Sequence, residues 1–176
     1  MIRKNPSGDL PIIDQTAYVD QTAIICGKVI IHANVFIGPY VVIRADELDA
    51  LGQMEPIIIG ANSNIQDGVV IHSKAGAAVT IGENSSIAHR SIIHGPCEIG
   101  HHVFIGFNSV LFNCRVGNRS AVRHNAVVDG QDLPDNFYVP AISNINSTTN
   151  LSEFSESVVN ANIELVQGYK ALQNEF

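Results

Sequence analysis

Eighteen aliphatic residues of this chain fall on a six-residue ruler, and few folds can satisfy that spacing. Ile13, Val19, Ile25, Ile31, Ile37 and Ile43 open the series. It resumes after Glu47 to Pro56 with Ile59, Ile65 and Ile71, and after Ser73 to Thr80 with Ile81, Ile87, Ile93, Ile99, Ile105 and Leu111. One five-residue step then leads to Val116, Val122 and Val128. Helical faces recur near 3.6 residues and strand faces at 2, so neither a helix nor a hairpin sheet produces a period of six. A solenoid does.

If each hexad is a short strand plus a turn, and three hexads close one triangular coil, the aliphatic residue of each hexad points into the prism and stacks on its equivalent one coil away. Eighteen hexads give about six coils. Gly38, Gly60, Gly82, Gly100, Gly106, Gly117, Asn62, Asn84 and Asn118 are expected at tight corners where positive φ is cheap. The prism is expected to end near Gly130, where QDLPDNFYVPA brings two prolines and turn formers. From Asn150 onward Val159, Ile163, Val166 and Leu172 stand at helical spacing, with Asn150 and Glu153 as a capping box. The expectation is an all-β solenoid over residues 1–149 with its closing loop, and an amphipathic α-helix over 150–176 that packs back on the prism.

Charged residues make up only 15% of the chain against 45% apolar, which points to surfaces set against partner chains. The net charge of -7 and the lack of any Lys/Arg run exclude nucleic acid and anionic membrane as natural partners, since both need clustered positive charge. MIRKNPSGDLP reaches Pro and Gly before an apolar signal core could form, and no apolar run approaches a spanning helix, so a soluble cytoplasmic protein is expected. Cys26, Cys97 and Cys114 lack any CxxC spacing and read as separate reduced thiols.

The ruler also says where the histidines point. Counting faces by order of hexads, Ile43, Ile71 and Ile93 share the third face, and Arg44, His72 and His94 each follow one of them. These three therefore form one outward column, its members about 4.7 to 4.9 Å apart. Two imidazoles so placed can lean onto one ion at about 2.0 to 2.1 Å. His89 follows Ile87 by two places on the second face, around a corner from His94. It completes a three-histidine site only if a second copy brings its second face against this third face, and three such contacts close a ring. Asp67 holds the place of His89 one coil earlier, which puts it opposite Arg44 across that contact. Three histidines with an open fourth position lower the pKa of zinc-bound water to about 7. His32, His101, His102 and His124 read as solvated or hydrogen-bonding residues.

IRADE at 43–47, SNIQDGVVIH at 63–72, SIAHRSIIHGP at 86–96 and IGFNSVLFNCRVG at 105–117, followed by SVVNANIELVQGYK, resemble the γ-class carbonic anhydrases over nearly the whole chain. The resemblance implies a homotrimer of left-handed parallel β-helices with a metal at each subunit interface, His72 and His94 coming from one chain and His89 from the next. It implies Zn2+, with Fe2+ or Co2+ suited to the same ligands, and reversible hydration of carbon dioxide to bicarbonate. It makes Arg44, Asp46 and Asp67 interface ion-pair residues, Asn64 and Gln66 polar groups near the bound solvent, Glu47 the glutamate beside it, and Asn162 an asparagine reaching the site from the tail. Asn160 stands where the best-known members have a tyrosine. In the family's first-recognised type the loop after the first histidine is longer and acidic, whereas SKAGAAVT here has no carboxylate, so proton export falls to Glu47, to buffer, or to Asp49 or Glu55. Two other readings share the prism: a hexapeptide-repeat acyltransferase with one interface histidine as general base, and a non-catalytic assembly subunit.

Overall fold

A computed structural model describes residues 1–154. The Asn162 and Asn160 assignments, and the expected helix beyond Phe154, lie outside the described residues. The chain winds as an all-parallel β-solenoid, every strand pair joining one coil to the next. On the third face Ile25, Ile43, Ile71, Ile93, Leu111, Val128 and Ile145 stack in register. The second face is a seven-stranded sheet that carries Val19, Ile37, Ile65, Ile87, Ile105, Val122 and Val139. These aliphatic ladders fill the prism: Ile25, Ile43, Ile65, Ile71, Ile87 and Ile93 have no exposed surface at all. Fully burying such a side chain is worth about 1.5–3 kcal/mol, so ladders repeated on three faces hold the described residues together almost without helix.

Two expectations need correction. The solenoid has about eight coils rather than six, because it starts before Ile13 and runs past Gly130. Ile2 pairs with Ile25 ahead of the ruler's first mark, and after a second five-residue step from Val128 the series runs on through Leu133, Val139 and Ile145. Pro134 and Pro140, read from sequence as terminators, lie inside the last coil. Each directly follows an inward residue, the place held by Gly82, Gly100 and Gly117, whose N–H groups donate to the coil that comes after. In the last coil no further coil among the described residues would accept that donor, so a residue without N–H costs nothing there.

The second correction concerns glycine. Asn62 and Asn84 adopt φ of 56° and 58°, as the turns require. Asn118 and the six glycines named with it do not have positive φ. Their glycine requirement is one of space instead: a Cβ on Gly82 would lie 2.6 Å from the carbonyl of Gly100 in the next coil. Asn118 accepts the N–H of His101 through its Oδ1 at 2.8 Å.

After the last described coil, the Asn150 side chain accepts from the Ser152 N–H and starts a single 3-10 turn, Leu151–Glu153. Asn150 Nδ2 also lies 3.3 Å from Glu153 Oε1. No helix among the described residues is long and apolar enough to cross a membrane.

Candidate metal centre

The strands Val42–Ala45, Val70–Ser73 and Ile92–Ile99 set the column. Arg44, His72 and His94 are register partners on the outer side of the third face. His72 Nδ1 and His94 Nε2 approach to 3.2 Å. His94 Nδ1 donates to the carbonyl of Gly95 at 3.0 Å, which leaves its Nε2 as a lone pair facing His72. Arg44 Nη2 lies 3.3 Å from His72 Nε2, so Arg44 donates to His72, His72 to His94, and His94 to the backbone. That directed chain gives each of the four imidazole nitrogens a partner.

The same geometry fits a metal ion. Two nitrogens held at about 2.0 to 2.1 Å from a tetrahedral ion stand about 3.3 Å apart, close to what this pair already shows. The backbone acceptor behind His94 is the kind of outer support that fixes a ligating imidazole. Asp46 and Glu47 extend the acidic side of the pair, at 3.4 and 3.5 Å from His72 Nε2. Asp46 also pairs with Arg44 at 3.1 Å. Within one chain, among the described residues, no three His, Cys, Asp or Glu side chains are so arranged that they could hold a metal ion by themselves.

His89 stands apart from this pair. It is half exposed on the second face, with Nδ1 3.7 Å from Asp67, its neighbour one coil earlier. Its ring packs 5.3 Å from Phe107, and Phe107 stacks on His124 at 4.4 Å, so a ladder of rings supports it from the following coils. Asn64 and Gln66 lie on the same face one coil before Ser86 and Ala88. Both are buried, and their amide oxygens have no hydrogen-bond partner among the described residues, an arrangement that invites a bound solvent or substrate atom.

Sequence reasoning did not anticipate the ring ladder or Phe112, which holds the next place in the histidine column, 5.4 Å from His94. The signal was there: residues one coil apart share a hexad position. Of the proposed alternative proton carriers, Asp49 is engaged in its own loop, accepting from Leu51 and Gln53, whereas Glu47 faces His72. Arg44 pairs within its own chain with Asp46, and Asp67 with His89, so neither charge is idle before any second chain is considered.

His124 yields a pH prediction. Its Nδ1 accepts the Phe107 N–H at 3.0 Å, which only the neutral ring can do, and burial with nearby Arg123 holds its pKa below 6.5. A depressed histidine pKa gives stability that is complete above about 6.5 and is lost as pH falls toward the folded value. The melting temperature should therefore fall more between pH 7 and 5 in the wild type than in His124→Asn, which keeps an acceptor at that position without the titration. Equal slopes would remove His124 from the account.

Known proteins bear on this geometry. Residues 78–113 match the family described as bacterial transferase hexapeptide (six repeats). A carbonic anhydrase of Methanosarcina thermophila is 35% identical over 197 residues, spanning 94% of this chain and 77% of that protein. The chain belongs to the γ-class carbonic anhydrase family. Membership in that family does not fix the reaction, for the carboxysome assembly protein CcmM of a Nostoc species is 36% identical over 89% of this chain. This chain spans only 31% of that longer protein. Among solved structures, a hexapeptide transferase family protein from Anaplasma phagocytophilum superposes with a TM-score of 0.78 at 23% identity, covering 100% of this chain and 98% of its own, which speaks for the fold alone.

Proposed function

We propose that this γ-class carbonic anhydrase family member catalyses the reversible hydration of carbon dioxide to bicarbonate, as a homotrimer whose metal sites lie between subunits. The observation that carries the reading is the in-register pair His72 and His94, with ring nitrogens converging at 3.2 Å. His89 of a neighbouring chain would supply the third ligand. A divalent ion held by three imidazoles, Zn2+ or alternatively Fe2+ or Co2+, supplies the Lewis acidity that makes hydroxide available from water near neutral pH.

The chain's own residues divide the remaining work. Asn64 and Gln66 offer buried, unpaired amide oxygens that accept from the attacking O–H and orient it. Glu47 is half exposed and within 3.5 Å of His72, so its carboxylate can take a proton at the site and release it to solvent. Glu47→Gln should lower turnover about 10²-fold, within the usual range for a lost general base. Added imidazole buffer should restore part of the loss, and a deficit indifferent to buffer would place Glu47 in binding rather than proton export.

The deciding experiment is carbon dioxide hydration by stopped flow on protein purified anaerobically and loaded with Zn2+ or Fe2+. Activity above that of metal-free protein, with about one ion per chain, supports the proposal; full metal occupancy without turnover refutes the catalytic reading. The second reading, a non-catalytic assembly subunit, is favoured by the loop after His72, where a tight turn over Lys74–Ala77 carries no carboxylate, and by the likeness to CcmM. Metal without turnover, in protein recovered as part of a larger complex, would favour it. An acyltransferase would instead bind acetyl-coenzyme A and hold no metal.

A further inference from the structure

The strands Ile92–Ile99 and Val110–Val116 carry the chain around the corner between the third and first faces, and two thiols meet there. Cys97 and Cys114 are register partners on adjacent parallel strands, both free, with sulfurs 3.7 Å apart. They are 17 residues apart in sequence, one coil that contains the five-residue step from Leu111 to Val116. Their exposures are 5% and 6%, yet both line a surface cavity of about 560 Å³ among the described residues. Glu98, Arg115 and Asp132 on the same wall offer both signs of charge to a zwitterionic guest.

We propose that Cys97 and Cys114 form a covalent modification site: a dithiol that a low-molecular-weight disulfide, such as a cysteine-containing peptide disulfide, oxidises to a bond between consecutive coils. Parallel neighbours stand about 4.8 Å apart, inside the Cα range of about 4.4 to 6.8 Å that disulfides span. The sulfurs need close by only roughly 1.7 Å to reach bonding distance, a side-chain rotation rather than a backbone change. In the first step one protein thiolate attacks the reagent's disulfide, forming a mixed disulfide and expelling one reagent thiolate. In the second the other protein sulfur attacks the protein-side sulfur of that bond and expels the second reagent thiolate. The protein's two thiols lose two electrons and two protons, and the reagent's two sulfurs leave as two thiols. Contact with Cys114 and burial push the Cys97 thiol well above its ordinary value, so the reaction is slow at neutral pH and accelerates in alkali.

Cys26 provides the internal control. It is 1% exposed and its sulfur faces the Lys4 carbonyl and Asp46 rather than another thiol. The site needs neither the metal nor a second chain, so its fate is separate from that of the proposed hydration.

The test is to incubate the native protein with oxidised glutathione at pH 8.5, quench in acid, alkylate under denaturing conditions and map peptides by mass spectrometry. The expected product has lost about 2 Da, joins the Cys97 and Cys114 peptides, leaves Cys26 alkylated and reverts with dithiothreitol. Cys114→Ser should instead trap a stable glutathione adduct on Cys97. The wild-type map decides alone if that variant does not fold. Recovery of both cysteines unmodified, or of each carrying its own glutathione without a cross-link, while the unfolded chain oxidises readily, overturns the proposal.

Discussion

Mixing two inactive variants is expected to restore activity. His94→Ala removes one nitrogen of the converging pair and His89→Ala removes the ligand proposed to come from the neighbouring chain. Each alone should reduce bound metal from about one ion per chain to under a tenth and lower hydration about 10³-fold or more, since a two-histidine remnant lacks the closed ligand set that holds zinc. Neither should unfold the solenoid: both rings lie on the outer surface, and losing the neutral hydrogen bond between His72 and His94 costs about 1 kcal/mol. Refolded together in equal amounts, the two chains assort at random. A site is whole only where an intact His94 meets an intact His89 from the next subunit, which happens at about a quarter of positions in a ring of heterologous contacts. Metal content and hydration should both return to about a quarter of wild type. No recovery in a well-folded mixed trimer would mean that the three histidines do not meet between chains.

The second large effect is on the fold, through Gly27. This residue ends the strand Ile24–Gly27 with φ of 84°, opposite Ala45 in the next coil. A Cβ there would sit 1.9 Å from the Ala45 carbonyl oxygen and 2.9 Å from its carbon, both backbone atoms that cannot turn aside. That same carbonyl accepts from Asn5 Nδ2 at 3.2 Å and from the Lys28 N–H at 3.3 Å, so displacing it breaks two more interactions. Gly27→Ala should destabilise by more than about 3 kcal/mol, combining backbone strain with steric collision. Gly52→Ala separates the two causes. Its φ is 74° but nothing lies within 4 Å of the new Cβ, so it should cost only about 1 to 2 kcal/mol. Denaturant midpoints measure both, and similar losses would show that conformation alone sets the cost. Ala45 lies between Arg44 and Asp46, so any Gly27→Ala protein that folds should also bind metal more weakly.

The six-residue period makes most of the fold, and the register of His72 with His94, legible in the sequence. Six-residue spacing dictates which residues stack, and the places of His72, His94 and Arg44 followed from arithmetic. What escaped it has physical causes. Prolines look like terminators only if every N–H is assumed to be needed, and in the outermost coil at Pro134 and Pro140 it is not. Glycine at Gly82 suggested a twisted backbone, whereas the demand was for room between stacked coils. Cys97 and Cys114 looked scattered because thiol pairs are usually sought a few residues apart, while in a solenoid the neighbour is one coil away. Glu47 was named through resemblance, and its turn toward His72 depends on an inserted loop that the ruler does not reach.

A parallel solenoid is a crystal in one dimension, and its open end is a growth face where any chain of like period could dock and propagate into a fibre. On the last described coil, two sides of the triangle lack a donor that such a chain would need. Pro134 and Pro140 withhold the donors that an arriving strand would need just where the template is otherwise most faithful. What reads as a break in the sequence thus removes two of the backbone donors by which another strand could extend the last described coil.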